Sequence, residues 1–428
     1  MLMDASGRSS RPPSSRWHSP WLIVLAAFLI RMAVMGFTYQ LQLDPAQDHQ
    51  AFGWETGRVA CSIATGHGFS SPYPEPTGPT ALIPPLYTYL VAGVFKIFGI
   101  YTLASGLVLL TLNNIFSALT CLPVLRIARK VFGPAVATRS AWAWALFPYS
   151  IALSNTVIWE TSLTTLLFPI LVLLTIQLER NSSTKVWAAY GLLWGIAGLA
   201  SPATLSALPF LGGWIWLRQW RRGNNCTAAA VISAMLFLAI AGPWIWRCSR
   251  TYGRFVAFRG NFGMEVLVGN SDDTRAPANW SMLPNTNAAE LDNIKRMGEP
   301  AYMAAKQKQA KELIQRQPTR YVLLSMRRVL NTWTGMWIFP PPLTFDEAGL
   351  PHVATYTLLS VLAFIGIGYA FWNQVAAAVP FTLILMFFPI VYYLTHSDLG
   401  FRHPIDPIIV VLAVYGFQSL RGKNTSDA

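Results

Sequence analysis

Acidic and basic side chains collect in one polar loop of a chain that is otherwise very apolar. The loop spans residues 43–87 and carries Glu55 and Arg58 within FGWETGRVACSIA. Their three-residue spacing puts both side chains on one face of a helix. A carboxylate beside an apolar surface is poorly solvated, so its pKa rises and it can act as a general base at neutral pH. The alternative interpretation is an ion pair with Arg58 that fastens the loop.

Three further acids compete for a catalytic role. Asp44 precedes Pro45, which favours a turn. Asp48 lies beside His49, but adjacent side chains diverge on a helix, which argues against a metal pair there. Glu160 heads another apolar helix in SNTVIWETSLTTLL, where an acid also stabilises the helix dipole. Asp48 and Glu160 therefore join Glu55 as candidate catalytic carboxylates.

Basic residues cluster in two other places, and guanidinium groups bind phosphate in a bidentate manner. One cluster surrounds Arg254 after a long apolar block, and the other lies within GFRHPIDP. Non-specific contact with lipid headgroups is the alternative interpretation. The candidate phosphate ligands are Arg58, Arg247, Arg250, Arg259, Arg402 and His403.

The composition indicates a membrane protein. Of 428 residues, 53% are hydrophobic and 12% are charged, about half the charge of an ordinary soluble domain. The net charge of +13 lies mostly beside apolar blocks, as in membrane proteins, so no nucleic-acid partner is expected. The sequence has no P-loop, no strand-linked GxGxxG and no HExxH, which argues against nucleotide-powered transport. No cofactor is expected, and no convincing ligand set for a divalent metal is present.

The apolar blocks predict an all-α polytopic protein of about ten membrane helices with both termini in the cytoplasm. Residues 84–98 are too short to span, and a helix over 319–339 would bury Arg327 and Arg328 in the membrane. Both segments are therefore expected to lie in the membrane plane as amphipathic helices. The expected spans are about 21–39, 101–125, 141–155, 161–178, 186–200, a sixth ending near 218, 228–246, 353–372, 375–394 and 404–420.

This topology divides the chain into five parts and places the acid-bearing loops on one outer face. In the outer-face segment, NFGMEVLVGN is expected to form loops with short strands or turns, and GEPAYMAAKQKQAKELIQRQ a charged helix. The five parts are a disordered tail (1–20), a transmembrane core with a catalytic outer loop at 40–100 (21–246), the outer-face segment (247–351), C-terminal membrane helices (352–420) and a cytoplasmic tail (421–428).

Four stretches, in this order, resemble membrane glycosyltransferases of the GT-C class. They are the acid-bearing loop after the first helix, GHGFSSPY…TGPTALIPPLYTYLVAGVFKIFG, IWETSLTTLL and GFRHPIDPIIVVLAVYG. The likeness is greatest to the bacterial branch related to protein O-mannosyltransferases and the aminoarabinose transferases of lipid A. This branch resembles glycosyltransferase family 39. In that family an acid in the first outer loop is taken as the base, and a second follows in the next outer loop. Glu55 and Glu160 are the matching positions.

The resemblance implies transfer of a hexose or pentose from a polyprenyl-phosphate-linked donor to a lipid, glycan or protein acceptor. The reaction is expected to be inverting and to occur on the periplasmic face of a bacterial inner membrane, among membrane lipids. A transporter or flippase of a lipid-linked sugar is the alternative. It requires polar residues deep in the spans, for which Arg31, Asn113 and Asn114 are the main candidates. A non-catalytic membrane assembly protein is a third hypothesis.

Overall fold

The regular structure of the protein is helical throughout the part described by the computed structural model. That part comprises residues 19–43, 50–180, 183–271, 278–337, 350–398 and 400–424. The expected all-α class is therefore confirmed. The helices are α1 (Pro20–Gln42), α2 (Glu55–Ala64), α3 (Pro85–Phe98), α4 (Leu103–Leu119), α5 (Cys121–Phe132), α6 (Pro134–Ala145), α7 (Pro148–Thr156), α8 (Thr161–Arg180), α9 (Thr184–Ala200), α10 (Leu208–Arg221), α11 (Thr227–Tyr252), α12 (Phe262–Asn270), α13 (Ala288–Met297), α14 (Glu299–Arg316), α15 (Pro318–Thr334), α16 (Leu350–Trp372), α17 (Ala378–Phe387), α18 (Ile390–Leu394) and α19 (Asp406–Asn424).

Six helical segments of the described chain are long and apolar enough to cross a membrane. The apolar helices α3 and Ala378–Leu394 are shorter, and the count of about ten spans stays a prediction. The six segments are Pro20–Gln40, Leu103–Phe132, Thr161–Arg180, Thr227–Tyr252, His352–Trp372 and His403–Gly422.

Prolines explain two breaks that differ from the expected spans. The expected helix 141–155 is interrupted between α6 and α7, because Pro148 has no N–H to continue the hydrogen-bond ladder. The expected helix 375–394 is likewise split between α17 and α18, where Pro389 stands. A proline starts a helix readily at its first turn, so each segment resumes at once.

The stretch NFGMEVLVGN is a helix and not the expected loops with strands or turns. It forms α12, which packs on α14 so closely that a Cβ on Gly263 would lie 2.5 Å from the Gln307 Cα. Met264 and Leu267 are buried there. Burial of these apolar side chains overrides the weak helix propensity of the glycines and valines in this stretch. The charged helix expected over GEPAYMAAKQKQAKELIQRQ is confirmed as α14.

The polar residues inside the spans tie helices to one another. Arg31 donates to Ser117 Oγ at 2.9 Å and to Ser150 Oγ at 2.7 Å, and Asn114 Nδ2 donates to Asn155 Oδ1 at 2.9 Å. Backbone carbonyls accept the other Arg31 donors, as with Ala145 O at 3.0 Å. Hydrogen-bonded polar groups of this kind hold membrane helices together.

Helix α15 fixes the outer segment against the membrane core. Its exposed face is apolar and includes Leu323 and Met326, as the amphipathic interpretation requires. On its other face Arg328 is buried and donates to Asn270 Oδ1 at 2.7 Å and to Tyr393 O at 3.1 Å. Arg328 therefore connects α12 to α18.

Candidate active site

The loop after α1 and the loop after α7, which both carry candidate acids, touch each other through a close backbone contact. The Ile158 N–H donates to Ala51 O at 3.0 Å. Gly53 has a φ of +79°, and a Cβ there would lie 2.5 Å from Ile158 O and 2.7 Å from Trp159 Cδ1. Only glycine tolerates both that φ and that approach. The contact places Glu55, at the start of α2, on the same side of the molecule as Glu160, which directly precedes α8.

Glu55 is half-buried and is linked to Arg58 through a residue of the outer segment. Asn285 Nδ2 donates to Glu55 Oε1, and Arg58 Nη1 donates to Asn285 Oδ1 at 3.1 Å. Desolvation raises the pKa of Glu55, the nearby charge of Glu265 adds to this, and the charges of Arg58 and Arg259 oppose it. Glu55 therefore holds a proton more readily than an exposed carboxylate does.

Glu160 is also half-buried, and its backbone supports the first turn of α8. Its carbonyl accepts from Thr164 N at 2.8 Å and from Thr164 Oγ1 at 2.9 Å. Desolvation raises the pKa of Glu160, and its own backbone N–H and the charge of Arg259 partly oppose this. A negative charge here is favourable for the helix dipole, so the structural and catalytic interpretations of Glu160 are compatible.

Arg259 forms an ion pair with a third acid, Glu265. Its Nε donates to Leu82 O at 2.6 Å, and its Nη2 forms an ion pair with Glu265 Oε1 at 3.3 Å. Its charge also acts on both Glu55 and Glu160. The side chain is 34% exposed, so it remains accessible to an anion. Arg259 thus contacts one of the three carboxylates directly and lowers the pKa of the other two through its charge.

Glu265 and His396 were not foreseen from the sequence. Glu265 Oε1 accepts from Asn261 Nδ2 at 2.6 Å, and its Oε2 lies 3.5 Å from His396 Nδ1. A Cβ on Gly269 would lie 2.0 Å from Thr395 O, so α12 packs directly on the last outer loop. Desolvation lowers the pKa of His396, which favours neutral imidazole at pH 7. The sequence does carry a signal for this site, because THSDLGF in this loop places His396 and Asp398 close together.

The other expected phosphate ligands lie elsewhere. Arg247 donates to Thr80 O and Phe69 O and so fixes the loop that precedes α3. Arg250 is exposed, with its guanidinium carbon 5.4 Å from the Trp246 ring centroid.

The basic pair Arg402-His403 is buried against one acid. Arg402 Nε donates to Asp406 Oδ1 at 2.7 Å, and His403 Nδ1 lies 3.2 Å from Asp406 Oδ2.

Asp48 lies outside the described residues. Of the expected phosphate ligands, the structure therefore brings Arg58 and Arg259 to the carboxylates. No group of three or more His, Cys, Asp or Glu side chains suited to a metal occurs among the described residues.

The arrangement suits removal of a proton next to a group that leaves with negative charge. A carboxylate of raised pKa can accept a proton from a hydroxyl. A fixed guanidinium a short distance away can stabilise the charge that develops on the departing group. We call Glu55, Glu160, Glu265, Arg259 and Arg58 the carboxylate–arginine cluster.

Known proteins share the fold. Residues 83–246, less than half of the chain, match the family described as dolichyl-phosphate-mannose-protein mannosyltransferase. An Archaeoglobus fulgidus oligosaccharyltransferase, solved with an inhibitory peptide and a dolichol-phosphate, is 16% identical with a TM-score of 0.55 over 95% of this chain and 51% of its own. The same enzyme tethered to an acceptor peptide is 15% identical with a TM-score of 0.54, over 96% of this chain and 50% of its own.

Other comparisons add less. ArnT from Cupriavidus metallidurans, solved with undecaprenyl phosphate, is 12% identical over 92% of this chain and 77% of its own. Its TM-score of 0.37 is too low to carry an argument. No curated protein matches the chain.

The resemblance to GT-C membrane glycosyltransferases is confirmed by the family match and by the shared fold of the archaeal enzyme. The chain is a multi-pass membrane protein with that fold. It spans about half the length of the archaeal structures that it matches.

Proposed function

We propose that this protein is a glycosyltransferase that moves a sugar from a polyprenyl-phosphate-linked donor to an acceptor on the outer face of a bacterial inner membrane. The observation that carries the proposal is the carboxylate–arginine cluster, in which two acid-bearing loops touch and Arg259 pairs with Glu265 beside them in a GT-C fold. The family match, described by a dolichyl-phosphate donor, supports a lipid-linked sugar. The acceptor is a hydroxyl or amine of a lipid, a glycan or a protein.

The chemistry assigned to the cluster is a single inverting displacement. Glu55 takes the proton from the acceptor hydroxyl as the acceptor oxygen forms a bond to the anomeric carbon. The bond from that carbon to the phosphate oxygen breaks, and its electron pair leaves with the polyprenyl phosphate on the opposite face. The raised pKa of Glu55 suits it to this role. Asp48 remains the second candidate for the base, and Glu160 supports the cluster from the neighbouring loop.

The departing phosphate is assigned to the two arginines of the cluster. Arg259 is partly exposed and Arg58 is held by Asn285, so both guanidinium groups are pre-positioned before the donor arrives. Donors fixed in advance stabilise developing charge without reorganisation during the reaction. The reaction as assigned needs no metal ion or organic cofactor.

A transfer assay tests the proposal. Purified protein in nanodiscs is mixed with a panel of radiolabelled polyprenyl-phosphate sugars and with membrane extract as acceptor. We expect label to move from one donor class, and to stop moving when Glu160→Gln is combined with Glu55→Gln. Glu312→Gln, in α14 and outside the cluster, is the matched control and should transfer normally. Donor that crosses the bilayer without transfer would instead establish a flippase, although the polar residues of its expected path are bonded between helices.

A further inference from the structure

A small pocket lies where the ends of several helices meet beside the carboxylate–arginine cluster. It is enclosed by the end of α15, the start of α16, helix α18 and the loop that leads to α19. The side chains used in the argument are Asn331, His352, Asp398, Phe401 and Arg402. Its interior has room for a group about the size of a water molecule.

Three buried polar atoms in this pocket have no hydrogen-bond partner among the described residues. They are Arg402 Nη2, Asn331 Oδ1 and His352 Nε2, and they come from three different elements. Leaving a buried donor or acceptor unsatisfied is unfavourable, so such atoms usually have a ligand or water as partner. Because all three residues line the same pocket, these atoms indicate a site for a small polar group.

The Arg402 side chain is held rigidly in this position. It is 2% exposed, and Nε donates to Asp406 Oδ1 at 2.7 Å. Nη1 donates to Thr332 O at 3.0 Å and to Ser360 Oγ at 2.9 Å. The guanidinium carbon lies 3.7 Å from the Tyr356 ring centroid. With every other nitrogen engaged, Nη2 is the single donor that Arg402 can offer to a ligand.

The local charges decide which ligand fits. Asp406 neutralises Arg402, and Asp398 adds a negative charge at the pocket wall. A phosphate would therefore meet a site with no net positive charge and one facing carboxylate. An ammonium group would meet the fixed Arg402 donor. A hydroxyl both accepts and donates, so it can accept from Arg402 Nη2 and donate to Asn331 Oδ1.

The pocket is adjacent to the proposed reaction centre. A Cβ on Gly400, in the loop that lines the pocket, would lie 3.9 Å from Oγ1 of Thr161, the residue after Glu160. Phe401, which lines the pocket, has its ring centroid 5.2 Å from that of His396, and His396 Nδ1 lies 3.5 Å from Glu265 Oε2 of the cluster. The residues that line the pocket therefore contact residues of the carboxylate–arginine cluster or their immediate chain neighbours.

We infer that this pocket binds one hydroxyl group of the donor sugar and so selects which sugar is transferred. The inference rests on the proposed function, because it takes the ligand of the neighbouring cluster to be a lipid-linked sugar. Arg402 and Asn331 are thus specificity residues for a hydroxyl. Arg402 has no phosphate-binding role in this assignment.

The test measures binding separately from transfer. Nanodisc-embedded protein is titrated, without acceptor, with the polyprenyl-phosphate sugar that binds best, with analogues that each lack one hydroxyl, and with polyprenyl phosphate alone. We expect one deoxy analogue to bind about tenfold more weakly than its parent, as for a lost hydrogen bond in a buried site. In Asn331→Leu, which is close in size, this preference should fall below about twofold. Val322→Ala, on the exposed face of α15, is the control and should retain it.

Three outcomes overturn the inference. In the first, wild-type protein binds every deoxy analogue as tightly as the parent sugar. In the second, Asn331→Leu keeps the full preference for the parent sugar. In the third, Asn331→Leu binds a deoxy analogue more tightly, but not the analogue that wild type rejects. Omitting acceptor assigns the hydroxyl to the donor, since a hydroxyl of the acceptor would give no preference in this assay. Hydroxyl-selective binding without transfer to any acceptor refutes the proposed transferase alone. Transfer without selective binding refutes the pocket's role alone.

Discussion

Gly53 provides the sharpest test of how the two acid-bearing loops are held together. In Gly53→Ala the new Cβ would lie 2.5 Å from Ile158 O and 2.7 Å from Trp159 Cδ1, at a φ of +79°. The positive φ costs an L-residue about 1–2 kcal/mol. Relief of such a contact costs about 1–3 kcal/mol more, through shifted backbone or side chains. The free energy of unfolding should therefore fall by about 2–5 kcal/mol.

Gly66→Ala separates these two effects. Gly66 lies in the same outer loop with a φ of +90°, but a Cβ there would meet nothing within 4 Å. It should therefore lose only the 1–2 kcal/mol that the backbone conformation costs. The difference between the two variants in the loss of unfolding free energy is the contribution of the contact between the loops. Denaturant midpoints of the purified proteins in detergent will measure it.

The contact between the loops should also control the reaction. Displacing the Glu55 carboxylate by about 1 Å is expected to reduce transfer about 100-fold. We expect this loss in Gly53→Ala at a temperature where the variant is folded, and near-normal transfer in Gly66→Ala. If both variants lose the same stability and the same activity, the close approach of the loops does not position Glu55, and our account of the site is wrong.

Two further substitutions should move the pH dependence of transfer, because the base must be deprotonated to accept a proton and transfer falls as the pH drops through its pKa. Asn285→Asp places a second carboxylate beside Glu55, which raises the Glu55 pKa further and should shift the acidic limb of the kcat/KM profile to higher pH. Asn287→Asp, nearby but not bonded to Glu55, is the control. If Asn285→Asp leaves the acidic limb unmoved, Glu55 is not the base. Arg259→Gln removes a charge that lowers the pKa of both Glu55 and Glu160, so the acidic limb should again move to higher pH and the maximal rate should fall about 100-fold. The exposed Arg254→Gln is the matched control for Arg259→Gln, and equal effects of the two variants would show that general surface charge explains the result.

The apolar blocks were sufficient to predict the helical membrane fold, because a span must be both long and apolar whatever its neighbours are. The breaks at Pro148 and Pro389 were visible in the sequence but were not used. Helix α12 was wrongly expected to be loops with strands or turns. Its conformation depends on packing against α14, and that contact cannot be inferred from local pattern.

The candidate site was predictable only in part, because distant elements assemble it. Glu55 and Glu160 stood out as acids at the edges of apolar segments. Asn285 and Glu265 lie in the outer segment and reach the cluster through tertiary packing alone. Arg402 resembled a phosphate ligand, yet its partner Asp406 stands four residues later, a helical spacing that was readable in GFRHPIDP.

The central claim is that the Glu55 carboxylate takes the proton from the acceptor, and single-turnover transfer by Glu55→Gln tests it most directly. Wild type, Glu55→Gln and the control Glu312→Gln are loaded with the same labelled donor in nanodiscs, and donor binding is measured before acceptor is added. Our account predicts that Glu55→Gln binds donor normally and transfers it about 10²–10⁴-fold more slowly, the range for loss of a general base. Transfer by Glu55→Gln at the wild-type rate would contradict it.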